Sequence, residues 1–307
     1  MINVALIFPG QGAQKVGMGK ELYDASPQSR EVFDAADRVL GIDLTKTIFE
    51  GPAEKLTSTA YCQPAILTMS IAALAALRVH PKSKNISVKF AAGLSLGEYS
   101  ALIAAGALGL EAGLRLVQHR AGFMEEATKL ERGAMAAVIG FPKEKLLVIC
   151  QETGAQIANF NSPEQIVITG HAAKVQAACE RLKAEGAKTV IPLEVSGAFH
   201  SSLMAPAAEK FSGVLKGAAI QKPQIPIVAN VNAAPQTDPS AIRRLLAEQI
   251  TSSVQWEPSV RFLASQGVTE FLEIGPGKVL KGLMRKTDPA LKVHNIEVPT
   301  DLENLPF

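Results

Sequence analysis

One junction constrains the fold of this chain more than any other feature. The apolar run "VKFAAGL" (88–94) breaks into Gly93-Leu94-Ser95-Leu96-Gly97 and passes directly into a helical pattern, "EYSALIAAGAL". The segment reads as a strand that ends at glycine. A helix leaving straight from such a strand makes a βα unit and places the chain in the α/β class. "NVALIF" (3–8) breaks at Pro9-Gly10 and reads as a buried parallel strand.

The rest of the chain extends this pattern. "SPQSREVFDAADRVL" offers Ser26 as N-cap and Pro27 as the first helical residue. Residues 64–79 read as a helix, and 111–130 as another. The middle of the chain then changes character. "AMAAVIG" (134–140), "PKEKLLVICQE", "QIANFN", "QIVITG", "HAAKVQAACERLKAEG" and "KTVIPLEV" follow in the order β-α-β-β-α-β, with Gly186 as the C′ glycine of the second helix. That order is the ferredoxin-like arrangement. It predicts a small subdomain, 131–197, inserted into a larger α/β domain made of 1–130 and 198–307. Further helices are expected near 202–216, 239–251 and 278–286, and strands near 226–230 and 269–274. No internal repeat or low-complexity tract interrupts the pattern.

Glycine–x–serine–x–glycine between strand and helix is the nucleophile-elbow pattern, which holds a serine oxygen clear of the backbone. The alternative is a tight structural turn. A serine hydroxyl needs a base, and donors for the oxyanion that forms. Of the five histidines, His200 in "VSGAFHSSLM" lies just past a predicted strand, where loops carry chemistry. His80 and His294 have polar neighbours and are expected to be exposed. His171 begins a helix, and His119 adjoins Arg120 on one. No Asp occurs between Ser95 and His200, which argues against an ordinary Ser-Asp-His hydrolase and for a Ser-His dyad oriented by another group. Arg120 sits inside the apolar helical segment "LVQHRAGFM". It is either internally paired or a fork for a carboxylate.

Several function classes are excluded. A net charge of +2 with 5% aromatic residues gives neither the field nor the stacking surface for nucleic acid. "PAILTMSIAALAAL" (64–77) is shorter than the ~20 residues that cross a bilayer and reads as a buried helix. Cys62, Cys150 and Cys179 are far apart and fit a reducing cytosol. The histidines lack metal-ligand spacing, so no metal is expected. "FPGQGAQKVG" has Lys15 where a dinucleotide loop needs its third glycine, and "EIGPGKVLKGL" has Val279 where a P-loop needs Ser or Thr.

In order, "FPGQGAQKVGMG", "QPAILTMS", "GLSLGEYSAL", "QHRAGFM", "GAMAAVIG", "NFNSPEQIVITG", "GAFHSSLM" and "EIGPGKVL" resemble the malonyl-CoA:acyl-carrier-protein transacylases and the related acyltransferase domains of polyketide synthases. The likeness runs nearly end to end. It implies a hydrolase-like α/β domain with a ferredoxin-like insert. It also implies Ser95 as nucleophile, His200 as base, and the main-chain N–H groups of Gln11 and Leu96 as oxyanion hole. Arg120 would pair with the malonyl carboxylate, Gln249 would orient the histidine, and Gln63 would line the site. Phe199 would leave little room for an α-methyl group. The sequence departs from the pattern at Ser253 and Ala198, where many members carry proline.

The resemblance further implies malonyl-CoA and phosphopantetheinylated acyl carrier protein as partners, no cofactor, a cytoplasmic monomer, and ping-pong transfer through a malonyl-serine. A thioesterase or esterase is the alternative of like chemistry, and a non-catalytic carrier-protein-binding module the alternative of another class.

Overall fold

The computed structural model describes residues 1–307. Its strands, in chain order, are β1 (Ile2–Phe8), β2 (Ile86–Gly93), β3 (Gly133–Ile139), β4 (Gln156–Ser162), β5 (Gln165–His171), β6 (Thr189–Pro192), β7 (Ile227–Val228), β8 (Pro235–Gln236), β9 (Val254–Gln255), β10 (Glu270–Ile274) and β11 (Lys292–Ile296). They form two sheets. The first has the order β11-β10-β1-β2-β7-β8, parallel except for β8 on its edge. The second has the order β6-β3-β5-β4-β9, antiparallel except where β9 joins β4.

The parallel sheet exists because its central strands are apolar on both faces. Val4 to Phe8 of β1 are all buried, and so are Phe271, Leu272 and Ile274 of β10, where the charged residue between them, Glu273, is buried too and accepts from the Leu280 and Lys281 main-chain N–H groups. Helices cover both sides, and the largest core cluster lies between β1, β2 and the Thr59–Val79 helix. That helix is long and apolar enough to cross a membrane, yet most of it is buried inside the protein, so it is a core element here. It begins at Thr59, five residues before the proline at which the pattern placed its start. Pro64 costs the helix one backbone bond, and burial of the rest of the helix offsets that loss.

Most expected elements form. Ser26 caps the Pro27–Leu40 helix, accepting from the Ser29 amide at 3.2 Å. Gly186 takes a positive φ just after the Ala172–Ala184 helix. His171 stands at the start of that helix without capping it through its side chain. "KTVIPLEV" pairs only as far as Pro192. Leu193 makes one last bond to β3, its N–H donating to the Met135 carbonyl at 2.9 Å, and Leu193 and Val195 then line a cleft between the two sheets. β8, β9, β11 and the Trp256–Ser265 helix were not foreshadowed by the sequence pattern.

Candidate active site

The sharp turn after β2 is forced by its neighbours. A Cβ on Gly93 would lie 2.0 Å from the carbonyl carbon of Gly97, and one on Gly97 would lie 2.1 Å from the Phe8 carbonyl oxygen. Glycine is required at both positions. Ser95 between them has φ 52°, a left-handed conformation that a serine adopts only under constraint. Asn230, just past β7, supplies the constraint. Its Oδ1 accepts the Ser95 amide at 2.6 Å, and its Nδ2 donates to the Gly93 carbonyl at 2.7 Å.

His200 is also left-handed, with φ 57°. Its loop is tied to the second sheet by Thr169 Oγ1, which donates to the Phe199 carbonyl at 2.9 Å. Nε2 lies 2.8 Å from Ser95 Oγ, and Nδ1 lies 2.8 Å from the Gln249 carbonyl oxygen. That carbonyl can only accept, so Nδ1 carries the proton and Nε2 turns its lone pair to the serine. Burial, with Arg120 nearby as the second cause, pushes the imidazole down to about 4. The ring is therefore neutral near pH 7, as a base must be.

Gln249 does meet the histidine, but through its main chain. Its side chain is engaged elsewhere: Nε2 donates to the Ser95 carbonyl at 3.0 Å and to Glu98 Oε2 at 2.7 Å, and Oε1 accepts from Arg120.

Arg120 is buried beneath the dyad at 1% exposure. Nη1 donates to Gln63 Oε1 at 2.6 Å, and Nη2 donates to Ser95 Oγ at 2.9 Å and to Gln249 Oε1 at 3.0 Å. Nε has no partner. No carboxylate lies within salt-bridge distance, and the guanidinium sits 5.5 Å from the Tyr99 ring centroid. Burial draws its pKa below the usual arginine value, and Tyr99 and Glu98 counter that pull. A buried cation held only by neutral oxygens is a poised site for an anion.

These groups open on a cleft of roughly 190 Å³ between the sheets, and Gln11, Gln63, Ser95, Leu96, Arg120, Phe199 and His200 all reach it. The main-chain N–H groups of Gln11 and Leu96 donate to nothing in the protein, which leaves both free for an oxyanion. All eight expected residues thus converge. Met124, Met135, Asn159, Asn161 and Val167 also line it. They carry no chemical signature in sequence. Asn230 and Glu98 went unassigned too, although Glu98 is a charged residue in the otherwise apolar "GEYSALIA".

The remaining candidates stand apart. His119 stacks on Phe123. His294 differs from expectation. It is half-buried and bonds Glu270 at 2.7 Å, because β11 sets its side chain beside that of β10. Cys62 precedes Gln63, but burial pushes its thiol up to about 12, so it offers no rival thiolate. No group of three His, Cys, Asp or Glu side chains is placed to hold a metal ion.

Residues 5–300 match the acyl transferase domain family. The malonyl CoA-acyl carrier protein transacylase of Bacillus subtilis (strain 168) is 47% identical, over 99% of this chain and 96% of that protein. The crystal structure of acyl-carrier-protein-S-malonyltransferase from Bartonella henselae superposes with a TM-score of 0.94 at 39% identity, covering 99% of this chain and 98% of the other. A malonyl-transacylase solved with its holo type II PKS acyl-carrier protein superposes with a TM-score of 0.93 at 38% identity, over 99% and 98% of the two chains.

Proposed function

The chain belongs to the acyl transferase family, and on that premise we propose that it moves malonyl from malonyl-CoA to the phosphopantetheine thiol of acyl carrier protein. His200 Nε2 takes the Ser95 Oγ proton as the oxygen attacks the thioester carbonyl. The N–H groups of Gln11 and Leu96 receive the oxyanion. Coenzyme A leaves as its thiol, taking the proton back from His200 and leaving a malonyl ester on Ser95. The carrier thiol then gives its proton to His200 and attacks that ester, which restores the serine. This is a ping-pong cycle on a Ser-His dyad.

Arg120 carries the substrate reading. Its partners are all neutral, so the malonyl carboxylate would be its first anionic one. Nη2 also donates to Ser95 Oγ at 2.9 Å, so the cation stands beside the oxygen that would carry the acyl group. Phe199 would disfavour an α-methyl branch. The fold is read as a hydrolase-like domain, 1–130 and 198–307, with a ferredoxin-like insert, 131–197. The β6-β3-β5-β4 order with its two helices supports this. The three free, buried cysteines suit a reducing, cytoplasmic setting.

Intact-mass spectrometry after mixing with malonyl-CoA alone tests the reading. One malonyl group should add to the wild-type protein and none to Ser95→Ala. Labelling that survives in Ser95→Ala removes the elbow from the mechanism. Rapid loss of the ester without a carrier would favour a thioesterase.

A further inference from the structure

Glu98, second residue of the Gly97–Ala104 helix, plays no part in the cycle above, yet it is buried against the site at 3% exposure. Its Oε2 accepts from Gln249 Nε2 at 2.7 Å and from the Asn230 main-chain N–H at 3.1 Å. Both donors belong to residues that hold Ser95. Asn230 takes the Ser95 amide, and Gln249 donates to the Ser95 carbonyl.

A glutamine amide has two orientations, and here only one of them works. Nε2 faces two acceptors, the Ser95 carbonyl and Glu98, while Oε1 faces the Arg120 guanidinium. Turned over, the amide would set N–H against N–H at Arg120 and oxygen against oxygen on the other side. The carbonyl of the same residue receives His200 Nδ1.

We propose that Glu98 is a positioning residue that fixes the Gln249 side chain, and through it aims Arg120 at the acyl end and steadies the carbonyl that orients His200. What Glu98 supplies is an acceptor oxygen, which a neutral amide can also supply. Loss of that oxygen frees the amide to turn, and Arg120 loses one of its neutral anchors. The consequence falls on the malonyl carboxylate more than on an acyl group that lacks one.

This inference rests on the malonyl-transfer reading. Its test compares acylation kcat/KM for malonyl-CoA and acetyl-CoA in Glu98→Met, Glu98→Gln, Gln249→Ala and the Glu98→Met, Gln249→Ala double variant. Glu98→Met should cut malonyl transfer roughly 10–100-fold, the cost of leaving buried donors without an acceptor, and narrow the malonyl-to-acetyl ratio. Glu98→Gln should stay within about threefold of wild type. In the Gln249→Ala background Glu98→Met should add less than about threefold.

Equal losses for both thioesters, with the same factor in both backgrounds, would make Glu98 a fold residue only. A Glu98→Gln variant as impaired as Glu98→Met would also overturn the proposal, since charge and not an acceptor would then matter. If Glu98→Met does not fold, Glu98→Asp replaces it, because its oxygens stop a methylene short of Gln249. Wild-type malonylation reports separately on the activity itself: a wild type that takes no malonyl ends both readings, and a competent wild type with additive variants ends this one alone.

Discussion

On the proposed malonyl-transfer reading, Arg120 is the residue that would decide what the site selects. Malonyl and acetyl thioesters differ at the acyl end by one carboxylate, and burying that charge without a partner is costly. Charge-assisted hydrogen bonds contribute ~1.5–3 kcal/mol, so Arg120→Ala should reduce malonyl transfer roughly 10–150-fold. Acetyl transfer should not fall in parallel, and lysine should restore only part of the loss because it lacks the planar fork. Measured kcat/KM for both thioesters checks this, and equal losses would move malonyl selection elsewhere. Ser95, His200 and Arg120 were legible in the sequence because each broke its context: a serine between glycines, a histidine past a strand, a charge in an apolar helix. Asn230 broke nothing, since an asparagine after a strand is ordinary. Its importance lies in bonds to Ser95 and Gly93, residues more than a hundred positions away in the chain. Gln249 does lie against the histidine, but the group that meets the ring is the carbonyl every residue has, which no side-chain signal in the sequence could mark.

At the scale of elements, the elbow is the least forgiving part of the fold. The atoms that would meet a Cβ on Gly97 are the Phe8 and Pro9 backbones, which cannot swing aside as a side chain would. Gly97→Ala should cost about 1–3 kcal/mol or more and abolish malonyl labelling of Ser95. Gly109→Ala is the control, because a Cβ there meets nothing within 4 Å and its φ is −72°. It should keep both labelling and urea midpoint. Loss of labelling in both variants, or in neither, would separate the elbow's activity from its glycines. The long elements were readable because their periodicity ran for many residues. β8 and β9 have two residues each, too few for a period, and β11 mixes polar and apolar residues on an edge. The insert's βαββαβ order was legible because its helices and strands alternate cleanly, but its fifth strand comes from far outside it.

For the molecule as a whole, two buried groups make stability depend on pH in opposite senses. Burial pushes His200 from 6.5 down to about 4. As pH falls from 6.5 to 4 the unfolded chain takes up that proton first, so the native state loses about 3 kcal/mol. Burial pushes Glu98 from 4.5 up to about 7. As pH rises from 4.5 to 7 the unfolded chain ionises first, so the native state again loses about 3 kcal/mol. Between 4.5 and 6.5 the two effects offset each other. Glu98→Gln removes only the second. Urea midpoints taken across this range should therefore shift in favour of the variant, relative to wild type, as pH rises. Parallel curves would mean that Glu98 ionises like an exposed carboxylate. The parallel pairing of β9 with β4 has a practical bearing as well. Segment 131–197 looks like a cassette in the chain, but its sheet is closed by Val254–Gln255, and Ser253 Oγ bonds the Ile157 carbonyl at 2.6 Å. A chimera that swaps only the cassette between relatives keeps the recipient's closing strand against a foreign edge. Crossover points that carry residues 253–255 with the donor segment keep the native seam, and engineered exchanges of acyl preference should be cut there.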